Sequence, residues 1–139
     1  MDVVFDPLRK KNVKLTPEEK VRQWFIRLLH ESAGVPPTHM MSEVQLHIGK
    51  KILRADIIVY DRNLREACIV ECKKPSVELD RDVLEQALRY NMAVNVPYIC
   101  ITNGKKTYMF KRRQGGNKLY DIIGYLPGYE EMNEGDSSI

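Results

Sequence analysis

Cysteine and histidine are scarce in this chain, with three of each among 139 residues. Cys68, Cys72 and Cys100 form no CxxC pair, and each lies in an apolar, strand-like segment. An odd, unpaired set of this kind excludes a disulfide framework and reads as reduced core residues. His30, His39 and His47 are scattered without ligand spacing, which excludes a histidine-built zinc site. Long hydrophobic runs are also missing. No stretch approaches the roughly 18 apolar residues of a membrane span, and the first residues, 1–14, have neither an apolar leader core nor a small-residue cleavage pattern. The expectation is a soluble, cytoplasmic protein. No internal repeat is visible, and a hydrophobic content of 43% suits one modest core in one domain.

Charge is plentiful and unevenly placed. The formal net charge is +3, but the last twelve residues hold Glu130, Glu131, Glu134 and Asp136 and no base. The remainder therefore sets 22 basic against 15 acidic side chains, a charge of +7. Basic clusters stand at Arg9-Lys10-Lys11-Lys14, Lys50-Lys51-Arg54, Lys73-Lys74, Lys105-Lys106 and Lys111-Arg112-Arg113. Clusters of this sort suit a polyanionic partner if they share a face.

Residues 1–14 read as a basic arm or a short added element, residues 15–127 as the folded domain, and the acidic stretch 128–139 as a disordered tail. Thr16, Pro17 and Glu19 make an N-cap, a first helical position and a capping box. Val21, Trp24, Phe25, Leu28 and Leu29 then follow at helical spacing, and the helix ends before Pro36-Pro37. Alternation predicts a strand over residues 43–48, with Val44, Leu46 and Ile48 on its apolar side. Short turns lead to strands at about 51–60 and 65–73, an antiparallel meander. A helix follows at about 79–95. Strands at 98–102 and 106–111 flank an Asn103-Gly104 hairpin signal, and a last strand is expected within 119–125. The order α-β-β-β-α-β-β is that of an α/β domain with a mixed sheet.

Three charges sit where a core strand should not have them. Asp56 interrupts the apolar run 55–60, and Glu71 and Lys73 end the run 67–70. Burying unpartnered charge costs several kcal/mol, so these groups require a reason. Side chains alternate along a strand, so Glu71 and Lys73 share a side while Cys72 points away. The intervening turn allows a hairpin that sets Asp56 beside Glu71. Two adjacent carboxylates repel unless a cation lies between them. Magnesium suits them, because it takes oxygen ligands and commonly uses one or two carboxylates with water and phosphate oxygens. The main-chain carbonyl of Cys72 offers a third protein ligand. Lys73 is suited to orienting an attacking water and offsetting charge on a phosphorane. Gln86 and Tyr90, four apart on the second helix, face the same way and can reach such a site.

Taken together, Asp56, Glu71-Cys72-Lys73 and Gln86-Ala87-Leu88-Arg89-Tyr90 resemble the PD-(D/E)XK nuclease superfamily and its QxxxY motif. More narrowly, the chain resembles the N-terminal nuclease domain of type I restriction enzyme R subunits. Leu15 to Gln23, Arg54 to Tyr60, Val70 to Pro75, Gln86 to Asn91 and Ile101 to Gly104 carry the likeness, which covers roughly residues 13–111. It implies a restriction-endonuclease-like core, a mixed sheet flanked by helices, and magnesium-dependent DNA cleavage in which manganese can substitute. It casts Asp56 and Glu71 as metal ligands, Lys73 as the catalytic lysine, and Gln86 and Tyr90 as accessory contacts. Many members add an upstream acid, and Glu19 and Glu43 are the candidates, Glu43 being counted with the metal ligands. Ala55 stands where the motif has proline.

Full restriction subunits carry an ATP-driven translocase, and no ATP site is visible here. The segment Thr102 to Thr107 lacks the Gly-Lys-Ser/Thr order and lies between strands. Specificity would therefore come from a restriction-modification or translocase subunit or from a homodimer. The competing expectation is a non-catalytic nucleic-acid-binding or interaction module that keeps the nuclease fold.

Overall fold

A computed structural model describes residues 2–115 and 119–134. Its central feature is a six-stranded mixed sheet of β3 (Met40–Ile48), β4 (Lys51–Tyr60), β5 (Glu66–Cys72), β6 (Tyr98–Thr102), β7 (Thr107–Arg112) and β8 (Tyr120–Ile123), in that spatial order. A separate hairpin pairs β1 (Val3–Asp6) with β2 (Lys11–Lys14). The expected meander is present as β3, β4 and β5, all antiparallel. The β5–β6 pair is parallel, because α2 (Arg81–Met92) carries the chain across between them. Antiparallel pairing resumes through β7 and β8.

The helices cover both faces. On one face α1 (Pro17–Glu31) contributes Val21, Phe25, Ile26 and Leu29 to a core with Ile57, Val59, Cys68, Val70 and Cys100. On the other, α2 packs Ala87 over Ala55, Ile58, Ile69, Ile99 and Ile101. All three cysteines are free and buried in these strands. Burial pushes the Cys68 thiol up to about 12. None of the helices among the described residues is long and apolar enough to cross a membrane.

Both helix starts follow from their caps. The Thr16 hydroxyl accepts from the Glu19 N–H at 3.1 Å, as the sequence pattern predicts. The reciprocal half of the capping box is absent, since the buried Glu19 carboxylate turns to Arg9 and Arg22, which neutralise it, and to Gln23, which donates a further hydrogen bond. Asp80 caps α2 by accepting from the Val83 N–H at 2.9 Å, so this helix starts two residues later than its apolar pattern indicates. Strand β3 begins three residues before the expected Glu43, because Met40 and Ser42 are already buried.

At the N-terminal end the open choice between arm and added element is decided, and at the C-terminal end the expectation of disorder requires correction. The basic arm is ordered as the β1–β2 hairpin, and Asp6 at its bend is wholly buried. Asp6 accepts from Arg9, from the Leu8 N–H and from the Ser42 hydroxyl, which moors the hairpin to β3. The acidic stretch folds as far as Glu134. There α3 (Tyr129–Glu134) buries Tyr129 and Met132 in the α1-side core. Apolar anchors at i and i+3 are enough to hold one short helix against that core despite its charge. Residues 135–139 of the expected tail lie outside the described residues.

Burial alone would raise the Asp6 carboxyl, but its bonds from Arg9, Leu8 and Ser42 outweigh that and hold it below the ordinary 3.8. Its stabilising contribution is therefore full above that value and is lost as pH falls through the lowered one. Asp6→Asn is expected to cost about 2 kcal/mol at neutral pH. Urea unfolding of both proteins should show the gap closing in acid, and a gap independent of pH would refute the assignment.

Candidate active site

The three expected acids stand in one row. In the β3–β4 register Ser42 faces Ile57 and Val44 faces Ala55, so Glu43 lies opposite Asp56. In the β4–β5 register Ile57 faces Val70, and one step further Asp56 stands opposite Glu71. Glu71 in turn pairs with Ile101 of β6. Glu43, Asp56 and Glu71 thus occupy adjacent strands at one level of the sheet.

The strands change faces at this level. Met40 belongs to the α1-side core, whereas Val44 and Leu46, an even number of residues later, pack on the α2 side. The same exchange occurs in β4, where Ile57 serves the α1-side core and Ala55 the α2-side core. Strict alternation cannot produce it. Glu43 supplies the extra rotation with a φ of 52°, a left-handed conformation that is costly outside glycine. The side chains at the crossover belong to neither core.

An open cleft of about 810 Å³ lies over the row and is lined by Glu18, Glu43, Asp56, Glu71, Lys73 and, from α2, Gln86 and Tyr90. The structure therefore brings together every expected site residue except Glu19, the alternative to Glu43 as accessory acid. Glu71 and Lys73 share a side, with Lys73 Nζ 2.9 Å from Glu71 Oε2. Cys72 turns its side chain into the α1-side core, and burial holds its thiol well above the ordinary range, so only its backbone faces the site. Tyr90 is half exposed, and its hydroxyl accepts from the Arg54 N–H at 3.0 Å. Gln86 is exposed on the cleft side of α2.

Asp56 is held on both oxygens. Oδ2 accepts from the Cys72 N–H at 2.6 Å, and Oδ1 accepts from Arg22 Nη2 at 2.8 Å. Burial pushes its carboxyl up, and these two donors only partly reverse the shift. Glu71 Oε1 accepts from Asn91 Nδ2 at 2.8 Å. Glu43 accepts from Arg22 at 2.7 Å and pairs with Arg54 at 3.2 Å.

Arg22 and Asn91 are the residues that motif reading misses. Arg22 of α1 is only 4% exposed, and the same Nη2 that serves Asp56 also serves Glu43, while Nη1 serves Glu19. Its sequence signal is a charge beside Val21 and Phe25 with acids three and four residues earlier, a pattern equally common on solvated helices. Asn91 has a clearer signal, being the one amide on the apolar side of α2. Of the two acids in the first turn of α1, Glu19 is spent on Arg9, Arg22 and Gln23, whereas Glu18 lines the cleft. Partial burial and the nearby Asp56 carboxylate push Glu18 up.

The donor set suits a hard divalent cation. Each oxygen of Asp56 and Glu71 has one bonded partner and so keeps a second lone pair, and the Cys72 carbonyl is on the strand between. Among the described residues no group of three or more His, Cys, Asp or Glu side chains is arranged as a metal set, so the fit rests on two carboxylates and a backbone oxygen.

A structural fragment assigned to the HsdR subunit of a type I restriction enzyme from Vibrio vulnificus YJ016 has a similar fold. The TM-score is 0.58 at 17% identity, over 87% of this chain and 25% of that one. The chain thus spans a quarter of that fragment's length. A protein from Anabaena variabilis ATCC 29413, assigned as a nuclease of the DUF820 group, matches with a TM-score of 0.50 and 8% identity, over 91% and 87% of the two chains. At these identities the likeness concerns the fold alone. No curated protein matches the chain. The family model for the N terminus of the type I restriction enzyme R protein (HSDR_N) matches residues 17–127, nearly the whole described domain, and the chain belongs to that family.

Proposed function

We propose that this domain is a magnesium-dependent DNA endonuclease of the type I restriction R-subunit kind, acting in the cytoplasm. The observation that supports it best is the row Glu43–Asp56–Glu71 across three strands, with the Lys73 ammonium on Glu71 at the mouth of an open cleft. A structural salt bridge does not need three acids at one level of a sheet, under water, beside a lysine.

Asp56, Glu71 and the Cys72 carbonyl would hold magnesium, with Glu43 or Glu18 adding a charge through water. When bound, the ion supplies a Lewis acid for the phosphoryl oxygen and a more acidic water. The chain's own groups do the rest. Asn91 and the Cys72 N–H fix the Glu71 and Asp56 carboxylates, so that little reorganisation is left for the reaction. Lys73 positions the attacking water and stabilises the negative charge that accumulates on the phosphorane. Gln86 and Tyr90 line the α2 wall, where a DNA phosphate or the water would lie. No nucleotide-binding role is assigned to the Thr102–Thr107 segment, which forms a strand end and a turn.

Plasmid nicking in magnesium or manganese is the direct test. Activity is expected with either ion, and EDTA should remove it completely and reversibly. Cleavage that persists in EDTA would overturn the metal assignment. The second reading, a non-catalytic nucleic-acid-binding module, draws support from Arg22, whose guanidinium already satisfies Asp56 and Glu43. Tight DNA binding without nicking in either metal would favour it. DNA is the partner under both readings. The other R-subunit segments, modification subunits and a second copy of the chain are the proposed sources of specificity.

A further inference from the structure

Beside the cleft is a second, smaller groove of about 300 Å³, walled by residues 75–79 on one side and by Asn103, Lys105 and Lys106 on the other. Val77 lines both, so the groove continues the cleft. Its walls are built, not loose. The Lys73 N–H donates to the Thr102 carbonyl at 2.8 Å, and Asn103 Nδ2 donates to the Val77 carbonyl at 2.8 Å. Asn103 Oδ1 also accepts from the N–H groups of Lys105 and Lys106, each at 2.9 Å, which fixes the turn that carries both lysines. Gly104, at a φ of 86°, lies against Val21 of α1, so the turn rests on the fold.

The charge there is uncommitted. Arg22, Arg54 and Lys73 around the cleft are all paired with carboxylates. Lys74, Lys105 and Lys106 are exposed, and their ammonium groups pair with no carboxylate among the described residues. Among the described residues, Glu78 is the only acid on the groove walls. An anchored concavity carrying unpaired cations at its rim, continuous with an acidic cutting site, matches the alternation of a nucleic-acid backbone that brings one phosphate to the acids and the next ones to the lysines.

We propose that this groove is a phosphate subsite that holds the DNA backbone flanking the scissile bond, with Lys105 and Lys106 as its principal contacts and Lys74 between it and the cleft. The proposal rests on the nuclease reading for its orientation, but its test does not depend on cleavage. A fluorescein-labelled DNA duplex is titrated by anisotropy in EDTA, where it stays whole, over a series of sodium chloride concentrations. Lys105→Gln/Lys106→Gln is expected to weaken binding about tenfold and to flatten the log–log salt slope by about two, one unit for each lost phosphate contact. Lys105→Arg/Lys106→Arg should retain wild-type binding, which separates charge from folding. Lys10→Gln/Lys11→Gln, with the same loss of net charge at the β1–β2 bend, which lines neither the cleft nor the groove, should change the slope far less. Equal effects of the two glutamine pairs, an unchanged slope, or no wild-type binding would each overturn the subsite. Plasmid nicking that remains intact alongside such a result would leave the nuclease reading standing. A failure of the wild type to nick, alongside the expected slope change, would instead support the subsite and count against the nuclease reading.

Discussion

Replacing Lys73 with alanine is expected to lower plasmid nicking by about 10²–10³-fold, the usual loss when one preorganised charge facing the transition state is removed. That corresponds to about 3–4 kcal/mol of barrier. The effect should fall on turnover and not on DNA binding, because one ammonium among many cations adds little to the total phosphate attraction. The Lys73 side chain is 35% exposed and, among the described residues, pairs only with Glu71, so its truncation should leave the fold intact. Circular dichroism and thermal melting would verify this. Asp56→Ala should reduce nicking at least as far, and because Asp56 is also a structural partner of Arg22 its melting temperature should drop too. Robust nicking by both variants would eliminate the proposed site. Loss of activity in Asp56→Ala alone, with a parallel loss of fold, would make Asp56 a structural residue.

Arg22→Met is expected to destabilise the protein by about 3–5 kcal/mol, a large part of the roughly 5–15 kcal/mol that separates most domains from unfolding. The cause is what is left behind. Arg22 is buried against Glu19, Glu43 and Asp56, and without it Glu43 and Asp56 face each other across adjacent strands with no cation between them. Arg22→Lys should recover only part of the loss, since an ammonium is a compact point charge that cannot span Glu19, Glu43 and Asp56 as the guanidinium does. Adding Asp56→Asn to Arg22→Met should restore stability, and the non-additivity measured by urea unfolding gives the coupling between the two. Simple addition of the two losses would show that Arg22 is held for packing alone.

The pairing of Asp56 with Glu71 was readable because it follows from a two-residue period and a short hairpin, both local rules. The register places them opposite each other as that rule requires. The helix bearing Gln86 and Tyr90 was likewise local, and the four-residue spacing put both on the cleft wall. Arg22 was not readable, because its bonds to Glu43 and Asp56 join residues 21 and 34 positions away. No periodicity reports which strand a helix will cross. Glu19 misled for the same reason: its capping pattern was real at the backbone, yet a distant Arg9 and an adjacent Arg22 outcompeted the Thr16 N–H for its carboxylate. The C-terminal segment misled by its composition. A glutamate-rich stretch looks unfolded until its anchors, Tyr129 and Met132, find buried partners, and the N-terminal hairpin is fixed likewise by Asp6 on Ser42.

The face exchange at Glu43 and Asp56 has a bearing on how such a domain can diverge. Strand β3 feeds the α1-side core before the crossover and the α2-side core after it, and in β4 the α1-side positions begin only beyond Asp56. Changes of side-chain volume in either layer are then absorbed within that layer, and the line where the layers meet stays put. Lineages could therefore repack α1 or α2, or trade one hydrophobic set for another, without shifting the acids by much. A family built this way would be expected to drift widely in sequence while its geometry at one level of the sheet stays nearly fixed.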